Sequence, residues 1–173
     1  MSNITRKSAA EIAEMRRAGA IVAEVLARVE EAARPGASTA ELDALAEQLI
    51  RTAGAASNFK GYHGFPATIC ISIDAEVVHG IPGDREIKEG SLVSVDAGAI
   101  WEGWHADAAR TFYVGEAPAA VAMLIASTRA ALDAGIAVAR PGATIEEVSG
   151  AIEDVAAAAG LGRSEEHTSE LQS

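Results

Sequence analysis

The sequence predicts an α+β protein in which a helix pair leads into antiparallel strands and then begins again. Three observations carry this expectation. Helical apolar spacing runs up to Gly54 and returns after Pro118, and a β-branched texture broken by Gly, Pro and Asp fills Asn58 to Val114. A stretch of the helix-pair text also recurs without a gap 106 positions downstream, 139 minus 33.

The first element is a helix expected over Ser8 to Ala33. Ile12, Met15, Gly19, Val22, Leu26 and Val29 recur at three-and-four spacing, and Ser8 with Glu11 forms a capping box. Arg34-Pro35-Gly36 breaks it. Ser38 with Glu41 then caps a second helix, marked by Leu42, Leu45, Leu49 and Ile50 and ended by Gly54. The runs TICISI, EVVHGI, SLVSVDAGAI and ARTFYV follow as expected strands.

The recurrence aligns Ala33–Gly54 with Ala139–Gly160. Alanine matches carry little weight in Ala-rich helices. Arg34 with Arg140, Pro35 with Pro141, Gly36 with Gly142, Glu41 with Glu147 and Glu47 with Glu153 carry more, and the capping box returns as Thr144 with Glu147. Helix, turn, helix and strands are therefore expected twice. After Gly162 the text changes to RSEEHTSELQS, polar and without periodicity. It resembles an in-frame translation of a sequencing adapter, so 163–173 is read as a non-native tail, and Glu165, Glu166 and His167 receive no role.

With 173 residues, 49% of them hydrophobic, the chain can build a real core. Its formal net charge of -11 is not offset by any basic block, which argues against a nucleic-acid or anionic-membrane surface. The opening MSNITRKSAAEI lacks a secretory apolar run, and no uninterrupted apolar stretch of spanning length is expected. The single Cys70 has no intramolecular disulfide partner, in keeping with a reducing, cytoplasmic setting.

Chemistry concentrates in LVSVDAGAIWEGWHADAARTFYV, where Asp96 and Asp107 lie on two strand-like runs joined at Trp101-Glu102-Gly103. A two-residue loop at Trp101-Glu102 sets Asp96 opposite Asp107, and a loop at Glu102-Gly103 makes them diagonal neighbours on one face. A three-residue loop changes the parity unless a bulge restores it, so the text leaves the register open. Converging carboxylates repel, and in a partly desolvated place one must hold a proton unless a cation compensates both. Asp96 ends a run of Leu92, Val93 and Val95, where a buried charge calls for a partner. A divalent metal meets that need, and oxygen ligands suit manganese, iron, cobalt or zinc.

Four motifs then occur together: YHGFP at Tyr62–Pro66, C-x-S at Cys70–Ser72, VHGIP at Val78–Pro82, and two aspartates separated by ten residues at Asp96 and Asp107. In these the chain resembles the first part of the type I methionine aminopeptidases, from the first helix to about Gly162. The resemblance implies the pita-bread fold, two αβ halves related by an approximate two-fold around a pair of divalent metals. On that pattern 1–162 is an incomplete catalytic domain, with a first half over 8–115 and the start of a second over 118–162.

The implied activity is removal of the N-terminal methionine from nascent polypeptides, by a hydroxide held between two divalent ions (cobalt, manganese, iron or zinc). Asp96 and Asp107 become metal ligands, Asp107 the bridging one, and His79 the catalytic imidazole that also contacts substrate. His63, Tyr62, Phe65 and Cys70 resemble residues around the methionine side chain, where soft sulfur and aromatic edges favour a thioether. His105 shares a face with Asp107 by alternation, and the family pattern gives it no ligand role.

The family's other ligands, one His and two Glu, and a second catalytic His belong to the second half, so this chain by itself is expected to be inactive. Small residues after the methionine, a place beside the ribosome, and no membrane or specific nucleic-acid partner complete what the resemblance and composition imply. Two alternatives stand beside it. A proline-specific pita-bread peptidase would share the aspartate hairpin, and a non-catalytic pita-bread module would bind a protein or nucleic acid, the latter disfavoured by the acidic balance.

Overall fold

The computed structural model describes residues 5–162. The expected non-native tail at 163–173, with Glu165, Glu166 and His167, lies outside the described residues. The chain packs as two compact units that divide between Glu116 and Ala117.

In the first unit, α1 spans Ala9–Ala32 and α2 spans Thr39–Thr52. Both begin with complete capping boxes, Ser8 with Glu11 and Ser38 with Glu41, which satisfy amide groups that the first helical turn leaves free. Between them Gly36 turns the chain at φ 89°, a conformation disfavoured for side-chain-bearing residues. The buried face of α1 is Ala18, Ile21, Val22, Val25, Leu26 and Val29. Ile12 and Met15, expected on that face, are instead 43% and 39% exposed, because the covered stripe begins only at Ala18.

A four-stranded antiparallel sheet lies under this helix pair. Its strands are β1 (Ala56–Ser57), β2 (Ile69–Ile73), β3 (Leu92–Trp101) and β4 (Trp104–Tyr113). β3 is central. β4 pairs along its whole length, while β1 and β2 pair with successive stretches of β3 and so share its other edge. Ile69, Ile71, Ile73, Val93, Val95, Ala97, Ala99 and Phe112 join the apolar stripes of α1 and α2 in one core. Burying each large aliphatic side chain there contributes roughly 1.5–3 kcal/mol. Because strand side chains alternate, the even-numbered residues of β2 and β3 point to the sheet's other face.

The run EVVHGI does not form a strand as expected; Glu76 to Ile81 is loop. His79 takes φ 57°, outside the extended range, and Pro82 follows shortly. The loop nevertheless joins the edge of β2 at one point. The Gly80 carbonyl accepts from the Ile71 amide at 2.9 Å, and the Gly80 amide donates to Ser72 Oγ at 3.1 Å. Beyond it, Thr39 Oγ1 donates to the Gly83 carbonyl and accepts from the Gly83 amide, each at 2.9 Å. The start of α2 therefore holds the far end of the same loop.

The second unit is a helix pair, α3 (Ala119–Val138) and α4 (Ile145–Ala158). It reproduces the first pair in structure as well as in text. α4 has the same length as α2, 14 residues, displaced by 106 positions (145 minus 39), and Thr144 with Glu147 repeats the capping box. Gly142 repeats the left-handed turn of Gly36, with φ 96° against 89°. By length and composition alone α3 is apolar enough to cross a membrane, with mean hydropathy 1.5 in its richest window, but it is not the uninterrupted apolar run that the text was expected to lack. Arg129 and Asp133 interrupt that text and face each other at 3.4 Å.

Gly80 has no room for a side chain, since an added Cβ would collide with the Ile71 carbonyl group. Gly80→Ala is expected to lower stability by about 1–3 kcal/mol, the usual cost of forcing atoms into a packed site. Urea unfolding of the two proteins checks this; equal midpoints would mean that the loop does not seat tightly on β2.

Candidate metal centre

The hairpin that carries the two aspartates turns at Glu102-Gly103, both at positive φ (47° and 81°), with Trp101 opposite Trp104. Of the registers left open by the text, the structure takes this one. A two-residue turn of this hand needs positive φ at both central positions, and a loop one residue earlier would force it on bulky Trp101. Trp101 is instead pinned against α1, its indole Nε1 donating to Glu14 Oε2 at 3.0 Å with Arg17 over its ring.

This register pairs Asp96 with Ala109 and Gly98 with Asp107, so the carboxylates are diagonal neighbours on the face turned away from the helices. On the other edge of β3, Cys70 is the direct partner of Asp96. Ser94 and Thr111 continue the polar face, their hydroxyls 2.8 Å apart. Asp43 fixes the start of β2 from α2, its Oδ1 accepting the amides of Thr68 and Ile69 at 2.8 and 2.9 Å.

Electrostatics single out this place. Asp96 Oδ1 is buried and has no hydrogen-bond partner. Its carboxyl is raised from an ordinary 3.8 to about 6, first by burial, then by the charge of Asp107 and a hydrogen bond shared with it. His79 and the Ala97 amide pull the other way, so the exposed imidazole lies within electrostatic reach of Asp96. Cys70 is pushed up to about 11 by burial and by the charges of Asp96, Asp107 and Asp43. It is therefore a neutral thiol at physiological pH, suited to contact rather than to attack.

Two hard oxygen donors, one with an unsatisfied buried oxygen, fit a divalent cation. Among the described residues no group of three or more His, Cys, Asp or Glu side chains stands at metal-holding spacing, so the pair supplies only part of a coordination shell. Tyr62, His63 and Phe65 lie before β2. Tyr62 and His63 are exposed in a short 3-10 turn with their rings edge-to-face at 4.3 Å, and half-buried Phe65 meets the edge of Phe59 at 6.5 Å. His105 pairs with Ile100 nearer the hairpin tip, on the aspartate face. Sequence reasoning did not find Asp43, Ser72 and Thr39 as supports of this site, because their partners are backbone groups, 25 to 44 residues away for Asp43 and Thr39 and across a loop for Ser72, and leave no side-chain pattern in the text.

With this geometry, residues 13–169 match metallopeptidase family M24, and the chain belongs to that family. It is 48% identical over 159 residues to methionine aminopeptidase 1 of Mycobacterium tuberculosis, covering 91% of this chain and 60% of that protein. It is 40% identical over 168 residues to the methionine aminopeptidase of Borreliella burgdorferi, covering 97% of this chain and 67% of that one. The crystal structure of methionine aminopeptidase from Thermotoga maritima superposes with a TM-score of 0.87 at 35% identity, over 91% of this chain and 64% of that structure. The fold is thus the pita-bread fold, and the chain spans about two thirds or less of the length of these relatives.

A carboxyl with a raised pKa holds its proton more tightly in the folded protein. Its stabilising contribution is full below pH 3.8 and is lost as pH rises through about 6. The metal-free protein is therefore expected to lose roughly 1–2 kcal/mol between about pH 5 and pH 7.5 through this group. In Asp96→Asn that loss disappears, so the variant gains on the parent at the higher pH. Urea titrations of both proteins at the two pH values measure the difference, and an unchanged gap would show that Asp96 is not held protonated.

Proposed function

We propose that this chain is part of a methionine aminopeptidase, which hydrolyses the peptide bond after the N-terminal methionine of nascent polypeptides. The observation that carries this reading is the diagonal Asp96 and Asp107 pair, with its unpartnered buried oxygen, in a chain of family M24. Asp96 and Asp107 would both serve as ligands to divalent metal, a pair of ions drawn from cobalt, manganese, iron or zinc. Bound there, the ions supply Lewis acidity to the scissile carbonyl and lower the pKa of the attacking water.

The chain's own residues do the rest. His79, presented by the clamped loop, donates a hydrogen bond to the oxygen that gains charge as the carbonyl becomes tetrahedral. The neutral Cys70 thiol with Tyr62, His63 and Phe65 receives the methionine side chain. Small residues follow the methionine in the preferred substrates, and the work is done in the cytoplasm beside the ribosome.

In the complete protein, Asp107→Asn is expected to abolish methionine release while the fold persists, since one lost charge weakens the hold on metal. Release from a methionyl-alanyl peptide after metal reconstitution decides it, full activity being incompatible with this role. His79→Ala should lower turnover about a hundred- to a thousandfold with metal content unchanged. Kinetics beside metal analysis separate the two roles, and lost metal with normal turnover per bound metal would make His79 structural. The 173-residue chain alone, with two metal-facing carboxylates among its described residues, is expected to release no methionine and to retain no stoichiometric metal after desalting.

A further inference from the structure

Asn58 follows β1 and plays no part in the site described above. Ala56 pairs with Ile100 and Ser57 with Ala99, so the next position, Asn58, comes opposite Gly98, and its amide donates to the Gly98 carbonyl at 3.2 Å. Its side chain fills the space over Gly98. A Cβ placed on Gly98 would stand 2.7 Å from Asn58 Nδ2, 2.9 Å from its Cβ and 3.0 Å from its Cγ. From there Nδ2 donates at 3.1 Å to the carbonyl of Ala106, on the far side of β3. Asn58 Oδ1 is buried without a partner.

Two relations give this bridge a purpose. Gly98 is the cross-strand partner of Asp107, so Asn58 and Asp107 flank the same glycine on the same face. The Ala106 carbonyl also belongs to the peptide unit that supplies the Asp107 amide. An amide hydrogen bond to that unit restricts its rotation, and a side chain in the slot over Gly98 limits where the Asp107 carboxylate can swing. With glycine at 98, the central strand offers no side chain of its own to do this.

We propose that Asn58 is a positioning residue for Asp107, and that Gly98 is glycine because Asn58 must lie across it. The inference rests on the reading of Asp107 as a metal ligand for its consequence, a loss of about ten- to a hundredfold in metal affinity when such an outer contact is removed. Its geometry needs no metal.

The test uses the metal-free protein, so its failure is distinct from a failure of methionine release. Side-chain χ1 couplings of Asp96 and Asp107 and the Ala106 carbonyl carbon shift are measured by NMR in the parent, in Asn58→Ala and in Gly98→Ala, with urea midpoints alongside. The expected result is one χ1 rotamer for Asp107 in the parent and averaged couplings in both variants. The Ala106 carbonyl resonance shifts while Asp96 keeps its couplings. If Asn58→Ala does not fold, Asn58→Ser, too short to reach Ala106, serves in its place. Unchanged Asp107 couplings in the variants, averaged couplings already present in the parent, or Asp96 and Asp107 loosening together with lost stability would each overturn the proposal.

Discussion

Everything at the candidate centre depends on the pairing of β3 with β4, and that pairing depends on two residues at positive φ. With Glu102 and Gly103 at the turn, Gly98 meets Asp107 and the two carboxylates share the face away from the helices. A shift of one residue would send Asp107 into the apolar face occupied by Val93, Val95, Ala97 and Phe112, where an unpaired charge costs several kcal/mol. The core therefore enforces the register as strongly as the turn does. Trp101, held by Glu14 and Arg17 of α1, ties the hairpin tip to the helix layer and opposes slippage.

Around this hairpin the remaining supports are polar contacts between distant segments. Asp43 fixes the start of β2, which brings Cys70 opposite Asp96. Ser72 and the Ile71 amide seize Gly80, and Thr39 seizes Gly83, so the loop that presents His79 is held at two points just after it. Such net contributions are individually about 1 kcal/mol. Their value lies in direction, because they fix an exposed imidazole and a half-buried carboxylate without covering either. The raised pKa of Asp96 follows from the same arrangement, a carboxyl withdrawn from water beside a second negative charge.

Much of this was legible in the text because its causes are local. Capping boxes, the turns at Gly36 and Gly142 and the apolar stripes are written within a few residues, and all three helices whose caps the text marks begin where it indicates. The hairpin register was legible only as alternatives: the core rejects the parity-changing three-residue loop, whereas the loop at Trp101-Glu102 is rejected by the positive φ it would force on Trp101, which α1 holds in place. Glu76 to Ile81 misled because its β-branched residues fit a strand, whereas His79 and Gly80 adopt a backbone made for contact with β2. Ile12 and Met15 misled because helical periodicity does not say where the covering layer ends. Asn58 left no sign at all, its role being defined by a glycine forty residues away.

The central claim is that the Asp96 and Asp107 face receives divalent metal. Titration of the isotope-labelled protein with manganese(II), following paramagnetic broadening residue by residue, tests it most directly. The account predicts that Cys70, Asp96, Gly98 and Asp107 broaden first, at the lowest metal concentrations, and that Asp96→Asn removes the effect. Broadening centred instead on the acidic loop of Asp74, Glu76, Asp84 and Glu86, with the hairpin resonances sharp, would contradict it.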